Sequence, residues 1–398
     1  MSSGYIGNYI MLRNLLYFVI ISFVVVAASG ISSSLWAGKE ESQPENIAVT
    51  VSEGMTVAEF GEKHALDRKV LKKVFNLTSQ DDLKKQVADF GISEELLSNK
   101  VNQALAIQAE HESKNWFKIP LKGLLWLIFL LAVFNLLRKG KINGKRRKWI
   151  YMAAVGVFGV ILGSDPSPMG TVKDAIVLLG SKGVIFPPRL IAFGIFLLMV
   201  ILANKFICSW GCQLGTLQDL IFRLNRNSKD SKGLFGQIKN PFIISNSVRI
   251  LFFFILILVA FIWAADIIGP IDPFKIFKPQ VIGMTGGIFI GLILVSSLFI
   301  YRPWCHFFCP FGLVGWIAEK ISLFKIKVDY DKCISCRACT KACPSTVMDA
   351  ILKQDRVIPD CFSCGTCMET CPADAISFER GKRQKPPAGK FDKEVISD

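Results

Sequence analysis

Apolar runs of membrane length alternate with short basic stretches along most of this 398-residue chain. A helix needs about 20 mostly apolar residues to cross a hydrocarbon core. The stretch Asn14–Gly38, uncharged between Arg13 and Lys39, meets that length. The same pattern predicts five more spans, at Ile119–Leu137, Trp149–Ser164, Leu190–Ile207, Ile250–Ala265 and Pro279–Tyr301. The third and fifth spans have short uncharged cores and extend into their flanks. Lys122 stands near one end of the second, where a long side chain can snorkel. The expected fold class is mostly α, a polytopic membrane bundle of about six spans, with residues 1–38 as an N-terminal span and 119–324 as the main membrane part. The first run, with Arg13 before it and Ala27-Ala28-Ser29-Gly30 near its end, also has the form of a cleaved signal peptide. Either reading leaves the next segment outside.

That segment, residues 39–118, has helical rather than membrane patterning. Thr56-Val57-Ala58-Glu59 is a capping-box pattern, Asp67 is placed to cap a helix running through Phe75, and Gly91 and Ser93 mark a stop and a new start. A small extracytoplasmic helical domain is expected, with a docking or spacer role. Two short helices in sequence also suggest helix-turn-helix DNA binding, which this topology excludes.

Charge sets the orientation. The segment Arg138–Lys148 carries seven basic residues and no acid, and Arg223, Arg226, Lys229, Lys232 and Lys239 follow the fourth span. Basic loops stay on the cytoplasmic side, so both termini are expected there, in the inner (plasma) membrane. Residues 39–118 carry 11 basic and 14 acidic residues, in keeping with an outer position. The chain as a whole has 47 basic and 32 acidic residues, a net +15. The surplus belongs beside anionic lipid headgroups and implies membrane lipid, not nucleic acid, as partner. With 51% hydrophobic residues the chain is not disordered.

All twelve cysteines fall in short-spaced motifs. Cys333, Cys336, Cys339 and Cys343-Pro344 form C-x2-C-x2-C-x3-C-P, and Cys361, Cys364, Cys367 and Cys371-Pro372 repeat it. In the two-cluster ferredoxin arrangement the fourth cysteine of each run ligates the other cluster. One 4Fe–4S cluster would then take Cys333, Cys336, Cys339 and Cys371, and the other Cys361, Cys364, Cys367 and Cys343. Small residues nearby (Ser335, Ala338, Gly365, Thr366) let backbone amides approach the sulfurs. Structural zinc prefers two C-x2-C pairs across a longer loop, and disulfides do not suit the reducing cytosol. Residues 325–379 are therefore expected to be a small α+β two-cluster ferredoxin domain. Residues 380–398 form a basic tail (Arg380, Lys382, Arg383, Lys385), read as solvated and flexible or as docking an acidic partner or lipid.

The remaining cysteines form two C-x3-C motifs, Cys208/Cys212 and Cys305/Cys309, each expected where an inward-running span ends. Lys205 and Arg302 stand three residues before them, and Gly215 and Gly312 three residues after. Asp165-Pro166 and Asp272-Pro273 occupy the preceding outer loops, so 149–220 and 250–320 read as two hairpin repeats. In one helix the C-x3-C spacing puts both thiols on one face. Four such thiols at the cytoplasmic end of a bundle suit a further iron–sulfur cluster or metal; a redox dithiol and simple packing are the alternatives. His306 is a candidate ligand or proton carrier, or a plain interfacial histidine. Trp210, Trp304 and Phe307 are candidates for a quinone pocket or for an interfacial aromatic belt.

These features together resemble the NapH/NosR-type membrane polyferredoxins, over roughly residues 120–380. The resemblance rests on Cys208/Cys212, Cys305/Cys309-Pro310 and the eight ferredoxin cysteines. It implies membrane-bound electron transfer, often quinol oxidation feeding a reductase, by an electron-transfer subunit of an oxidoreductase with a redox protein partner. Some relatives serve maturation or regulation, which makes electron supply for assembly or metal reduction of another enzyme the alternative function. Here Gln213 replaces the proline after the first C-x3-C, and the outer segment lacks the flavin-attachment type of site that some relatives carry. No C-x-x-C-H occurs, which excludes c-type haem by that signature. A transporter finds little support, because Asp165 and Asp266 lie only at span ends.

Overall fold

The computed structural model describes residues 2–35 and 47–391. The expected boundary at residues 38–39 and the last part of the tail, residues 392–398, lie outside the described residues.

Local capping builds the first folded unit. Thr56 accepts a hydrogen bond from the Glu59 backbone N–H, and the Glu59 carboxylate accepts one from Thr56 N–H, which starts α2 (Val57–Lys63). Asp67 precedes α3 (Arg68–Phe75), and Asn76 ends it in the left-handed region. Gly91, at φ 60°, closes a short turn before Ser93 caps α4 (Glu94–Glu112). Their apolar faces enclose a core of Val57, Phe60, Val70, Leu71, Leu97 and Val101.

From this unit α5 (Lys118–Arg138) runs to the other end of the molecule. Its 21 residues correspond to about 31 Å of helix. Near its far end Phe134 packs on Phe324 and Phe378. These two residues belong to β1 (Phe324–Val328) and β2 (Ile376–Arg380), an antiparallel pair in which Phe324 faces Arg380. The two strands, with α14 (Ala338–Ala342), α15 (Val347–Lys353) and α16 (Thr366–Thr370), form the C-terminal unit. It therefore caps the end of the bundle opposite to residues 47–117.

Between these caps the fold is helical. Among the described residues three helices are long and apolar enough to cross a membrane: α1 (Ser2–Leu35) over Tyr9–Ser34, α5, and α10 (Phe242–Ile262). The other three predicted spans form shorter pieces. α6 (Gly144–Ala154) continues as a π-helical stretch to Ile161, α8 (Pro187–Ala203) has 17 residues, and α11 (Met284–Ser296) has 13. α7 (Pro168–Lys182), hidden in sequence between two apolar runs, packs against α8 and α10.

The shortening has a physical cause: the chain reverses inside the bundle. α8 stops at Asn204, at φ 62°, and a π-helical turn (Ile207–Gly211) carries the first C-x3-C motif back inward before α9 (Gln213–Phe222) returns. α11 is followed by Arg302, at φ 48°, then α12 (Pro303–Phe307) and α13 (Pro310–Glu319) in the same arrangement. The Gln213 side-chain amide donates to Ser164 O at 2.6 Å, at the far end of the α6 segment, while Arg223 just beyond the other end of α9 pairs with Asp230 beside Arg147. α13 likewise comes back to the level where α8 stops, with Leu323 N–H donating to Ile201 O at 2.7 Å. The motifs therefore do not end inward-running spans at the bundle surface, as expected from the hydropathy; they sit at the tips of two inserted loops. Irregular backbone at such depth has to be satisfied by protein. Arg302 donates to Cys208 O and Ser209 O, Arg249 to Cys305 O, and Lys205 to Gly312 O.

Helix α7 meets α10 at backbone distance: a Cβ on Gly180 would lie 2.6 Å from Ala260 O. Gly180→Ala is expected to destabilise the protein by about 1–3 kcal/mol through overpacking. Gly194→Ala, where nothing lies within 4 Å, should be neutral or slightly stabilising. Thermal unfolding of the two variants in detergent checks the contrast.

Candidate functional site

The two C-terminal cysteine runs fold alike. Ser335 and Arg337 in the first run have φ 57° and 53°, and Ser363 and Gly365 at the matching positions of the second have φ 50° and 77°. Each run then enters a five-residue helix, α14 or α16, that carries the third cysteine, and ends on an extended fourth cysteine, Cys343 or Cys371. The left-handed residues curl both loops around a space. One cavity of about 350 Å³ is lined by Cys333, Cys336, Cys339 and Cys371, with Phe391 at its edge. A second, of about 400 Å³, is lined by Cys343, Cys361, Cys364 and Cys367, with Tyr301 of the bundle beside them. Each cavity thus gathers three cysteines of one run and the fourth of the other. Ala375 N–H donates to Cys371 Sγ at 3.3 Å, and the Thr366 hydroxyl lies 3.5 Å from Cys364 Sγ. Burial pushes the Cys339 and Cys361 thiols up to about 12. A thiolate at either position is therefore favoured only beside positive charge.

The cavities differ in setting. Cys336 is exposed and Cys333 half-buried at the first, whereas Cys343, Cys361 and Cys367 at the second are buried against the bundle. The basic tail, expected to be free, turns back over the first: Arg383 donates to Ile326 O at 2.9 Å, Arg337 to Phe391 O at 2.9 Å, and Phe391 packs on Tyr330. An apolar anchor at Phe391 outweighs the solvation of its basic neighbours.

The C-x3-C cysteines are all buried. In neither motif do both thiols sit on one helix face, because the helix breaks between them. Cys208 and Cys305 lie in the inserted turns, while Cys212 and Cys309 are extended residues that begin α9 and α13. The two motifs lie side by side: Arg302, just before Cys305, donates to Cys208 O, and Lys205, just before Cys208, donates to Gly312 O. Among the described residues no three His, Cys, Asp or Glu side chains come close enough to hold a single metal ion. Gly215 and Gly312 are required by contact: a Cβ there would lie 2.6 Å from Cys208 O and 2.7 Å from Cys305 O.

Around these thiols stands a set of buried charges that the sequence pattern did not reveal. Asp219 accepts from Arg223 Nε (2.7 Å), Arg302 Nη2 (2.6 Å), Tyr151 OH (2.8 Å) and Tyr301 OH (3.0 Å), all buried. Asp360 of the C-terminal unit pairs with Lys205 and with Arg249 (2.9 Å). Burial acts to raise the Asp360 carboxyl, but Lys205 and Arg249 prevail and hold it down at about 2. Arg147 and Arg223 share Asp230, Arg147 also bonds Cys364 O and Glu369, and Arg226 donates to Ala342 O. Arg147, Arg223 and Arg226, expected to face lipid headgroups, therefore join the bundle to the C-terminal unit. Lys122, expected to snorkel, is buried and donates to Gly163 O at 2.7 Å. The common offset of Lys205 and Arg302 from the two motifs is visible in the sequence; their burial and their carbonyl and carboxylate partners are not.

Trp210 and Trp304 have no exposed surface and so form no interfacial belt; Trp210 Nε1 donates to Ser363 O at 3.2 Å. Phe307 is half-buried. His306 stacks on Phe362, ring centroids 5.4 Å apart, and Tyr301 meets the same ring at 5.8 Å.

Removing a carboxylate from a buried ion network leaves uncompensated charge and costs about 3–5 kcal/mol. Asp219→Ala should lower the unfolding temperature in detergent far more than Asp81→Ala, whose partner Lys84 is exposed.

Comparison with known proteins agrees with this geometry. A 4Fe–4S dicluster family matches residues 325–372, and a 4Fe–4S binding family matches twice, at 185–229 and 282–329. The chain is 32% identical to the candidate electron transport protein YccM of Escherichia coli over 211 residues, 49% of this chain and 56% of that one. It is 27% identical to the ferredoxin-type protein NapH of Haemophilus influenzae over 178 residues, 43% and 54% of the two chains. An uncharacterized protein of Methanocaldococcus jannaschii is 27% identical over 157 residues, 38% of this chain and 56% of that one. The chain thus spans about half the length of the curated relatives it matches. No solved structure matches it.

Proposed function

We propose that this chain, a NapH/YccM-like polyferredoxin with 4Fe–4S binding domains, is an iron–sulfur electron transport protein that passes electrons between a membrane quinone pool and a redox protein partner. In this reading residues 325–379 hold two 4Fe–4S clusters. One takes Cys333, Cys336, Cys339 and Cys371, the other Cys343, Cys361, Cys364 and Cys367. The C-x3-C cysteines hold a further cluster.

The observation that carries the reading is the composition of the two cavities, each lined by three cysteines of one run and the fourth of the other. Clusters bound there supply reversible one-electron chemistry. The protein's own part is to fix the ligands and set their surroundings. Left-handed residues in the loops aim backbone at the sulfurs, and Ala375 N–H and the Thr366 hydroxyl meet thiol sulfur directly. Burial excludes water from Cys339, Cys343, Cys361 and Cys367. The exposed Cys336 leaves one edge of the first cavity open to a partner.

The topology belongs to the same proposal. In it, six hydrophobic segments lie in the inner membrane, with the C-terminal unit and both termini on the cytoplasmic side and residues 39–118 outside. The position of the two folded units at opposite ends of α5 supports this, as does the run of basic residues at the end of α5 nearer the C-terminal unit.

Anoxically purified protein is expected to contain iron and acid-labile sulfide in equal amounts, with low-temperature EPR signals after reduction by added quinol. Cys371→Ser should perturb the signal that Cys333→Ser perturbs, and Cys343→Ser the one that Cys361→Ser perturbs. Iron-free protein, or clusters that quinol leaves oxidised, would refute the corresponding part. Iron removal by chelator should also unfold residues 325–379 first, because so small a unit draws folding energy from its metal; limited proteolysis reads this.

A further inference from the structure

Resting on that reading, we infer that the C-x3-C cysteines lie half-way through the membrane and carry single electrons across it, between the C-terminal unit and the face bearing residues 47–117.

Depth comes first. α9 and α13 each have ten residues, about 15 Å of helix, and they separate Cys212 and Cys309 from the face where the C-terminal unit docks. A hydrocarbon core is about 30 Å thick, so these thiols stand near its middle. The neighbours agree. Phe308 packs on Phe252, in the middle of α10, and on Phe289 of α11, and Trp126 Nε1 of α5 donates to Gly211 O at 3.0 Å.

The site is connected on both sides. Toward the C-terminal unit, Cys361 is followed by Phe362, whose ring stacks on His306, the neighbour of Cys305. Two cysteines of different sites are thus joined through one aromatic stack. Toward the other face, Cys212 is followed by Gln213, whose side chain donates to Ser164 O at 2.6 Å. The loop at Gly163–Asp165 receives Lys122 from the first turns of α5, at the end that leads from residues 47–117, and Lys278 pairs with Asp165 at 3.0 Å. Position 310, the counterpart of 213 in the second repeat, is proline, which has neither N–H nor a polar side chain. The departure from the repeat at Gln213 is therefore the outward connection. Fixed positive charge favours an electron on the site: Lys205, Arg249 and Arg302 are fully buried and bond the carbonyls of Gly312, Cys305 and Cys208.

The test uses full-length protein in sealed liposomes with ferricyanide trapped inside and dithionite added outside. Each dithionite-derived SO2 radical anion gives one electron and ends as sulfite; each electron converts one ferricyanide to ferrocyanide; potassium entering with valinomycin balances the charge. Trapped ferricyanide is expected to bleach with wild-type protein. Cys212→Ser and Cys309→Ser should fall to the rate of protein-free liposomes. Gln213→Pro and His306→Leu should slow bleaching severalfold, with the EPR signals of the C-terminal unit retained. A second readout needs no turnover. The EPR signal lost in Cys212→Ser should be relaxed by an impermeant gadolinium chelate from neither side, and the remaining signals from one side only. Absence of bleaching while dithionite still reduces the C-terminal clusters, or strong relaxation of the C-x3-C signal from one face, would overturn the inference and leave the proposed relay intact. Absence of clusters would instead remove the relay itself.

Discussion

Lys205, Arg249 and Arg302 sit with no exposed surface between the cysteine motifs of the bundle and the C-terminal unit, where water cannot solvate them. Burying an unpaired ion costs several kcal/mol even after relaxation. The fold meets this constraint with carboxylates from two places. Asp219 of α9 pairs with Arg302, and Asp360 of the C-terminal unit pairs with both Lys205 and Arg249, one carboxylate for two cations. The same cations hold the carbonyls of the inserted loops, so charge pairing, loop geometry and cysteine placement form one problem with one solution. A two-cluster domain on a flexible tether would leave that problem unsolved; here it is docked by ion pairs and by Trp210 and Trp316 indoles bonded to its backbone.

The internal repeat is broken where function and docking demand it. The counterpart of Asp219 in the second repeat is Trp316, which cannot neutralise Lys205, so the counter-ion is borrowed from Asp360. Likewise Pro310 starts α13 with a residue that needs no N–H partner, whereas Gln213 starts α9 and reaches another loop. Two copies of one hairpin thus acquire different neighbours: both reach the C-terminal unit, the first through Trp210 and the second through His306, and the first also bonds the opposite loop at Ser164.

Much of this was readable from residues. The spacing of the eight ferredoxin cysteines, the capping signals at Thr56 and Ser93, and the paired C-x3-C units each rest on local chemistry that survives into the fold. The left-handed turns at Asn204 and Arg302 were not readable. Hydropathy reports that a segment is apolar but not whether it continues or reverses, and neither turn is marked by glycine. Buried charge was hidden for a related reason. Arg147 and Arg223 lie in stretches that look like basic loops, and only tertiary packing separates a cation facing lipid from one enclosed with Asp230.

The borrowed counter-ion at Asp360 has a bearing on biogenesis. Chains emerge from the ribosome N-terminus first and fold unit by unit in that order. Lys205 and Arg249 are therefore in the bilayer before their carboxylate partner has been translated, and they stay uncompensated until the loop at Asp360 closes beside Cys361. In the proposed reading Cys361 is a cluster ligand, so the segment that brings Asp360 to Lys205 and Arg249 is also the one that a cluster would organise.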